Sequence, residues 1–281
     1  MNSKVMAEIN VPEPEGNLYI VADSHLDETI TPANEFVEML SQLENPHTVV
    51  FLGDLFKIWL APQKFWTALH HETMKGFERL RDRGSNIVFI AGNREMLLPR
   101  KLTDRWKKII PITHLTHSDW FLTWGKKRYA FIHGDTINYN DSQYLRWKAL
   151  THNCIFEAFF RVIPGALARW IAGRVETMLV NTNQEYKVHY PAAEIQEFAE
   201  SVLQEVDQYF VGHFHLDQEI KVEGSSGVLR IVPDWLSQRK VFKLNPTGEL
   251  EVLRFENGSL NPENGIIFTD HSAVAASQVV C

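Results

Sequence analysis

The sequence predicts an α/β sandwich with buried strands, on three observations. Short apolar runs rich in β-branched and aromatic residues alternate with helical patterns over residues 17–135. Those runs are short and nearly continuous, as strands covered by other layers are. Several of them end in a cluster of Asp, His, Asn and Gly, where the loops of an open α/β sheet gather a ligand.

The elements follow in order. The first strand is read at Leu18–Ala22 and the second at Thr48–Leu52, with a helix at Ala33–Leu43 between them. A second helical pattern, Gln63–Arg81, precedes strands at Ile87–Ala91 and Tyr129–Ile132. From Asp141 to about Arg174 the chain is helical in propensity and crowded with aromatics. A helix at Ala192–Gln204 then leads to strands at Tyr209–Val211, Gln218–Val222, Val228–Val232 and Lys240–Leu244, with a hairpin turn at Gly224-Ser225-Ser226-Gly227. This divides the chain into an extension (1–16), a core (17–140 and 192–255), a helical insertion (141–191) and a tail (256–281). The tail is rich in Asn, Gly, Ser and Ala and is expected to fray.

Composition narrows the function. With 44% hydrophobic and 22% charged residues, the 281-residue chain is neither disordered nor collagen-like nor a coiled coil. Its 28 Lys and Arg against 35 Asp and Glu give a net charge of −7, so it is a poor general binder of nucleic acid. Cys154 and Cys281 are too few for a disulfide framework, which points to a reducing compartment. No signal peptide is visible at the N-terminus. The greasiest stretch, Cys154 to Gly173, is broken by Glu157, Arg161 and Arg169 and does not span a bilayer.

The strand-end clusters carry the chemistry. In order they read Asp23-Ser24-His25, Gly53-Asp54, Gly92-Asn93-Arg94-Glu95, His133-Gly134-Asp135 and Gly212-His213-Phe214-His215. Asp oxygens and His nitrogens together suit intermediate divalent ions such as Mn²⁺, Fe²⁺ or Zn²⁺. Two such ions about 3.5–4 Å apart activate a water and clamp phosphoryl oxygens. The adjoining glycines allow the tight turns that crowd these side chains onto one spot. Each piece alone is a common turn or a packed histidine. Five in this order, each behind an apolar strand, are hard to explain by folding alone.

This series resembles the calcineurin-like metallophosphoesterase superfamily over residues 17 to 245. The resemblance implies an αββα sandwich with a helical lid insertion. It also implies two divalent ions. One would be held by Asp23, His25, Asp54 and His215, the other by Asp54, Asn93, His133 and His213, with Asp54 bridging. Several runs are further similar to the UDP-2,3-diacylglucosamine pyrophosphatases of lipid A synthesis. They are Leu52-Gly53-Asp54-Leu55-Phe56 with Trp59, Gly92 through Leu98, His133-Gly134-Asp135-Thr136 with Asp141 and Tyr144, and Asp234-Trp235. That family cleaves its nucleotide-lipid to UMP and 2,3-diacylglucosamine 1-phosphate, usually with Mn²⁺, at the cytoplasmic face of the inner membrane. By the same similarity Trp59, Asp141, Tyr144 and Arg174 would line the nucleotide and sugar. Lys57, Phe214 and Leu216 depart from the family pattern.

Arg94 is informative because most of the superfamily has His at this position, suited to protonating an alkoxide. Arginine stays charged and cannot be that acid, but it can bind phosphate oxygens bidentately. A leaving phosphate monoester, with a second pKa of about 6, departs without a proton. Pyrophosphate cleavage is therefore favoured over that of an alkyl phosphodiester, with Asn93 and Arg94 as the catalytic pair. The plainer alternative is a surface arginine paired with Glu95 or Asp23.

Within residues 141–174, Arg146, Lys148, Arg161, Arg169 and Arg174 interleave with Trp147, Phe156, Phe159, Phe160 and Trp170. Such a segment rests on an anionic membrane or covers acyl chains, unless it is a core helix with solvated arginines. Two competing functions stand beside the pyrophosphatase reading. One is a metallophosphoesterase for another nucleotide pyrophosphate or phosphodiester. The other is a scaffold with a dead site, which the seven filled ligand positions disfavour.

Overall fold

The computed structural model describes residues 8–151, 154–164, 167, 171, 174 and 190–268. Among them, one sheet of seven strands runs in the order β15 (Ser259–Phe268), β14 (Leu250–Glu256), β13 (Lys240–Leu244), β2 (Asn17–Val21), β3 (Pro46–Phe51), β5 (Asn86–Ile90) and β7 (His114–Thr116). A second sheet of six runs β1 (Glu8–Val11), β8 (Trp120–Trp124), β9 (Lys127–Ile132), β10 (Gln208–Val211), β12 (Val228–Ile231) and β11 (Gln218–Lys221). A short ribbon pairs β4 (Trp59–Leu60) with β6 (Glu95–Met96). The strands β2, β3, β5 and β7 are parallel, as are β9, β10 and β12.

The alternation within β2 explains the layering. Leu18 and Ile20 pack between the sheets with Val50, Val88, Trp120 and Phe131. Tyr19 and Val21 face the other way, onto Phe36 and Leu40 of α1 (Ala33–Ser41) and Phe77 and Leu80 of α2 (Ala68–Asp82). On the far sheet, Tyr209, Val211, Leu229 and Ile231 meet Ile195 and Ala199 of α6 (Ala192–Val202). Side chains of period two with both faces apolar need a layer on each side, which gives helix, sheet, sheet, helix. The chain has the αββα architecture that the resemblance implies.

Three departures have local causes. The helical pattern at 63–81 is interrupted: a 3₁₀ turn at Gln63–Phe65 stops, and α2 starts only at Ala68. There the Thr67 side chain and His70 form a capping box that fixes the start. The extension is not wholly outside the core, because its residues 8–11 form β1, which adds in parallel to β8. The tail expected to fray from 256 instead turns back as β15 on β14. Asn257 (φ 53°) and Gly258 (φ 76°) are both left-handed, as a two-residue hairpin turn requires.

In the insertion, α4 (Ser142–Thr151) and α5 (Cys154–Val162) are helical, as expected. Between them and α6 most residues, Arg169 and Trp170 included, lie outside the described residues, as does 269–281. A further short helix, α3 (Asp104–Lys107), carries Arg105 and Lys107, with Arg100, Lys101 and Lys108 flanking it in sequence. No helix among the described residues is long and apolar enough to cross a membrane.

Candidate metal centre and active site

The candidate residues lie on the loops that leave the C-terminal ends of the parallel strands. Asp23 and His25 follow β2, Asp54 follows β3, Asn93 and Arg94 follow β5, His133 follows β9, and His213 and His215 follow β10. Packing the sheets face to face brings these ends together. Asp23, His25 and His215 each place one donor atom within 4.8 Å of the others, and so do Asp23, Asp54 and His133. Asn93 joins the second group, with Oδ1 3.0 Å from Nε2 of His133. The ring of His213 lies 5.1 Å from that of His133.

The backbone is strained to achieve this. Asp23, His25, Asp54, His213 and His215 all have φ between 42° and 68°, a region that residues other than glycine rarely visit. Each such residue costs about 1–3 kcal/mol, and strain of this kind gathers at functional sites. Gly92 shows the crowding: a Cβ there would stand 2.5 Å from Oδ1 of Asp54 and 2.8 Å from Cε1 of His133. The carboxylate of Glu95, buried beside it, accepts the backbone N–H groups of Asp54 (2.9 Å), Leu55 (2.9 Å) and Gly92 (2.7 Å). One glutamate thereby ties the loop after β5 to the loop after β3.

The electrostatics suit cations. Asp54 turns Oδ2 toward Nε2 of His25 (3.7 Å) and Oδ1 toward Nε2 of His133 (3.6 Å), as a bridging carboxylate between two ions would. Nδ1–H of His133 donates to the carbonyl of Leu52 at 2.6 Å, leaving Nε2 to face Asn93. The Nε2 atoms of His25 and His215 face each other at 3.3 Å, and Oδ1 of Asp23, buried beside them, has no hydrogen-bond partner. Two imidazole nitrogens turned on each other beside an orphaned buried oxygen are what a divalent ion satisfies, so the donor set fits metal. Burial pushes the Asp23 carboxyl up to about 6 and the His213 imidazole down to about 3. Burial also lowers His133, but the carboxylates of Asp54, Asp23 and Asp135 prevail and lift it to about 9.

Arg94 is not a surface residue. Only 2% of it is exposed, and its backbone N–H donates to Oδ1 of Asp54 at 2.9 Å. Its guanidinium Nε lies 3.7 Å from Oδ2 of Asp54, while Nε and Nη1 are buried without a hydrogen-bond acceptor. Neither Glu95, committed to three backbone groups, nor Asp23 satisfies it. Two sealed cationic donors beside the candidate ligands suit phosphoryl oxygens.

The expected substrate residues separate. Trp59 is corrected: it is 0% exposed, its ring packed edge-on against Phe56 (5.3 Å) and Phe89 (5.5 Å), so it offers no surface to a nucleotide. Asp141 caps α4 by accepting the Tyr144 N–H at 2.8 Å. The Tyr144 hydroxyl donates to Asp135, which also takes Lys148 Nζ at 2.7 Å. Burial would raise Asp135, but the charges of His133 and Lys148 hold it down at about 2. This joint fixes α4 beside the centre, with the Tyr144 ring 6.5 Å from that of His213. Arg174 is exposed within the insertion. Of the departures from the family pattern, Lys57 lies 3.5 Å from Asp27, Phe214 packs against Tyr190, and Leu216 is 39% exposed. Two supporting carboxylates, Asp135 and Asp234, lie in the runs His133-Gly134-Asp135 and Asp234-Trp235, but nothing in their spacing assigns them the supporting role they take.

An αββα sandwich with carboxylates, imidazoles and a buried arginine gathered at one edge defines a metal-dependent phosphoester or anhydride hydrolase. The chain belongs to the calcineurin-like phosphoesterase family, whose model matches residues 16–217. It is similar to the UDP-2,3-diacylglucosamine hydrolase of Vibrio parahaemolyticus, 25% identical over 81% of this chain and 94% of that one. The hydrolases of the same name from Vibrio vulnificus (26%, covering 81% and 93%) and Proteus mirabilis (24%, covering 84% and 97%) are similar as well. Among solved structures, Vacuolar Protein Sorting 29 from Cryptosporidium parvum aligns with a TM-score of 0.46 and 9% identity, over 88% of this chain and 95% of that one.

Proposed function

We propose that this protein cleaves the pyrophosphate of UDP-2,3-diacylglucosamine to UMP and 2,3-diacylglucosamine 1-phosphate. The observation that carries this reading is Arg94: a sealed, always-charged group where a proton-donating acid would otherwise stand. The relatives named for that substrate, matched over most of both chains, support it.

Asp23, His25, Asp54 and His215 would hold one ion, and Asp54, Asn93, His133 and His213 the other. When bound, the two ions, with Mn²⁺ the best match, supply an activated water and a clamp on the phosphoryl oxygens. Asn93 and the free donors of Arg94 would bind those oxygens and stabilise charge as it develops on them. The leaving lipid phosphate needs no proton from the protein, so an arginine suffices. Asp141 and Tyr144 would act at the sugar and nucleotide through the placement of α4, and exposed Arg174 of the insertion would be a further contact.

The insertion would cover the acyl chains. Among the described residues its apolar side chains include two sets: Phe160 and Ile163 pack on Leu60, Phe65 and Met96, while Phe159 (48%), Val162 (80%) and Leu167 (45%) are exposed. With exposed Arg146 on α4, that outward set suits the cytoplasmic face of the inner membrane, where the protein would sit peripherally. The test offers the Mn²⁺-loaded protein UDP-2,3-diacylglucosamine, UDP-glucose and bis-p-nitrophenyl phosphate. Strong preference for the first is expected, and equal action on all three would refute the reading.

A further inference from the structure

The one-turn helix α7 (Trp235–Gln238) is built onto two of the residues assigned above to the first ion. The Trp235 N–H donates to the Ala22 carbonyl at 2.9 Å, and the Leu236 N–H to the Asp23 carbonyl at 3.3 Å, which fixes the backbone that presents Asp23. On the other side, Gln238 Nε2 donates to the carbonyl of His215 at 3.2 Å. The N-cap of this turn, Asp234, is 1% exposed and holds Nδ1 of His215 at 2.6 Å through its Oδ2.

That carboxylate is itself immobilised. Oδ1 of Asp234 accepts the backbone N–H groups of Ser237 (3.0 Å) and Gln238 (3.0 Å) and the Ser237 hydroxyl (2.8 Å). Oδ1 is thus spent on the helix cap, while Oδ2 takes the imidazole and, at 3.0 Å, the same Ser237 hydroxyl. A carboxylate can only accept, so the ring proton of a neutral His215 must sit on Nδ1, and the lone pair falls on Nε2. Nε2 is the atom that faces His25 (3.3 Å) and the orphaned Oδ1 of Asp23 (3.8 Å). The strained backbone of His215, at φ 56°, gives a reason for such bracing: nothing in the local chain preference would hold the ring there.

We infer that Asp234 is a positioning residue for the metal centre: it sets the tautomer and orientation of His215 and thereby the affinity of the first ion, without being a ligand. Supporting carboxylates behind a ligating imidazole act in this way. The inference rests on His215 being a ligand, and the experiment separates the two.

Metal-stripped full-length protein is titrated with Mn²⁺ by calorimetry, in the wild type and in Asp234→Asn, Ser237→Ala and His215→Ala. Asn at 234 keeps a cap acceptor in Oδ1 but presents an N–H₂ to the ring, which favours the tautomer with a proton on Nε2. Asp234→Asn should weaken one of two Mn²⁺ sites by about 10–100-fold and leave the other unchanged. Ser237→Ala removes the hydroxyl but leaves both backbone N–H groups on Oδ1 and the imidazole on Oδ2, and should bind both ions as the wild type does. Wild-type affinity at both sites in Asp234→Asn, or equal losses in the two variants, would overturn the proposal. If His215→Ala also binds both ions normally, the ligand assignment itself fails and the proposal goes with it. A measurement on the unaltered protein stands apart from any folding defect. Long-range ¹H–¹⁵N correlation of the metal-stripped wild type, recorded at a pH alkaline enough for the ring to be neutral, should place the His215 proton on Nδ1, and a proton on Nε2 would contradict the inference.

Discussion

Arg94 and Asp54 meet twice: the backbone N–H of Arg94 donates to Oδ1 of Asp54 at 2.9 Å, and its Nε stands 3.7 Å from Oδ2. The loop that presents the arginine is therefore locked to the carboxylate whatever side chain stands at 94. Arg94→Ala should keep its metal content and lose about 3 kcal/mol of transition-state stabilisation, roughly 10²–10³ in kcat. Arg94→His should not rescue pyrophosphate cleavage, because the departing phosphate has no need of an acid. Steady-state kinetics beside metal analysis decide this, and full activity in Arg94→Ala would show the arginine to be structural.

Asp54 divides its two oxygens between the His25 and His133 sides of the centre. Asp54→Ala should abolish turnover and lower occupancy at both metal positions. His25→Ala should spare the ion on the His133 side. Metal stoichiometry measured on the purified variants distinguishes these, and substantial turnover with two ions bound in Asp54→Ala would refute the bridge.

The neighbours Phe159 and Phe160 should behave oppositely. Phe160 is 2% exposed, and replacing it with Ser should destabilise the fold by about 3–5 kcal/mol, read as a fall in melting temperature. Phe159 is 48% exposed, and Phe159→Ser should leave melting unchanged. Each methylene of an acyl chain buried against this surface contributes about 0.8 kcal/mol, so Phe159→Ser should raise KM for the acylated substrate alone.

His70 gives the fold a pH dependence unrelated to catalysis. Burial holds its imidazole down at about 4, against an ordinary 6.5, where it stacks on Phe56 at 4.3 Å and accepts the Thr67 N–H at 3.2 Å. Below 6.5 the unfolded chain takes up a proton that the folded one refuses, so stability falls as pH drops toward 4. The loss from this one group reaches about 2 kcal/mol by about pH 5. His70→Gln keeps a capping-box acceptor and does not titrate, so its denaturation midpoint should vary less with pH over that interval. An unchanged slope would remove His70 as the cause.

Much of this was legible in the sequence for one reason. Parallel strands buried on both faces show as apolar runs, and the polar residues that end them share one edge of the sandwich once the sheets pack. Asp23, Asp54, Asn93 and His133 could be placed in that way. Features that depend on a distant partner could not. Asn257-Gly258 read as loose composition because the strand it turns back onto is recognisable only by pairing. The resemblance puts Trp59 along the nucleotide and sugar, but β4 pairs with β6 and the indole packs inward against Phe89. The strand β1 is mostly exposed and owes its order to β8, more than a hundred residues along the chain.

The proposed reaction is hydrolysis of a lipid-linked pyrophosphate by attack at the uridine-side phosphorus. The most direct measurement is mass spectrometry of both products after turnover of UDP-2,3-diacylglucosamine in H₂¹⁸O with Mn²⁺. The heavy oxygen should appear in UMP and be absent from 2,3-diacylglucosamine 1-phosphate. Label in the lipid phosphate, or an intact substrate under conditions where bis-p-nitrophenyl phosphate is cleaved, would contradict it.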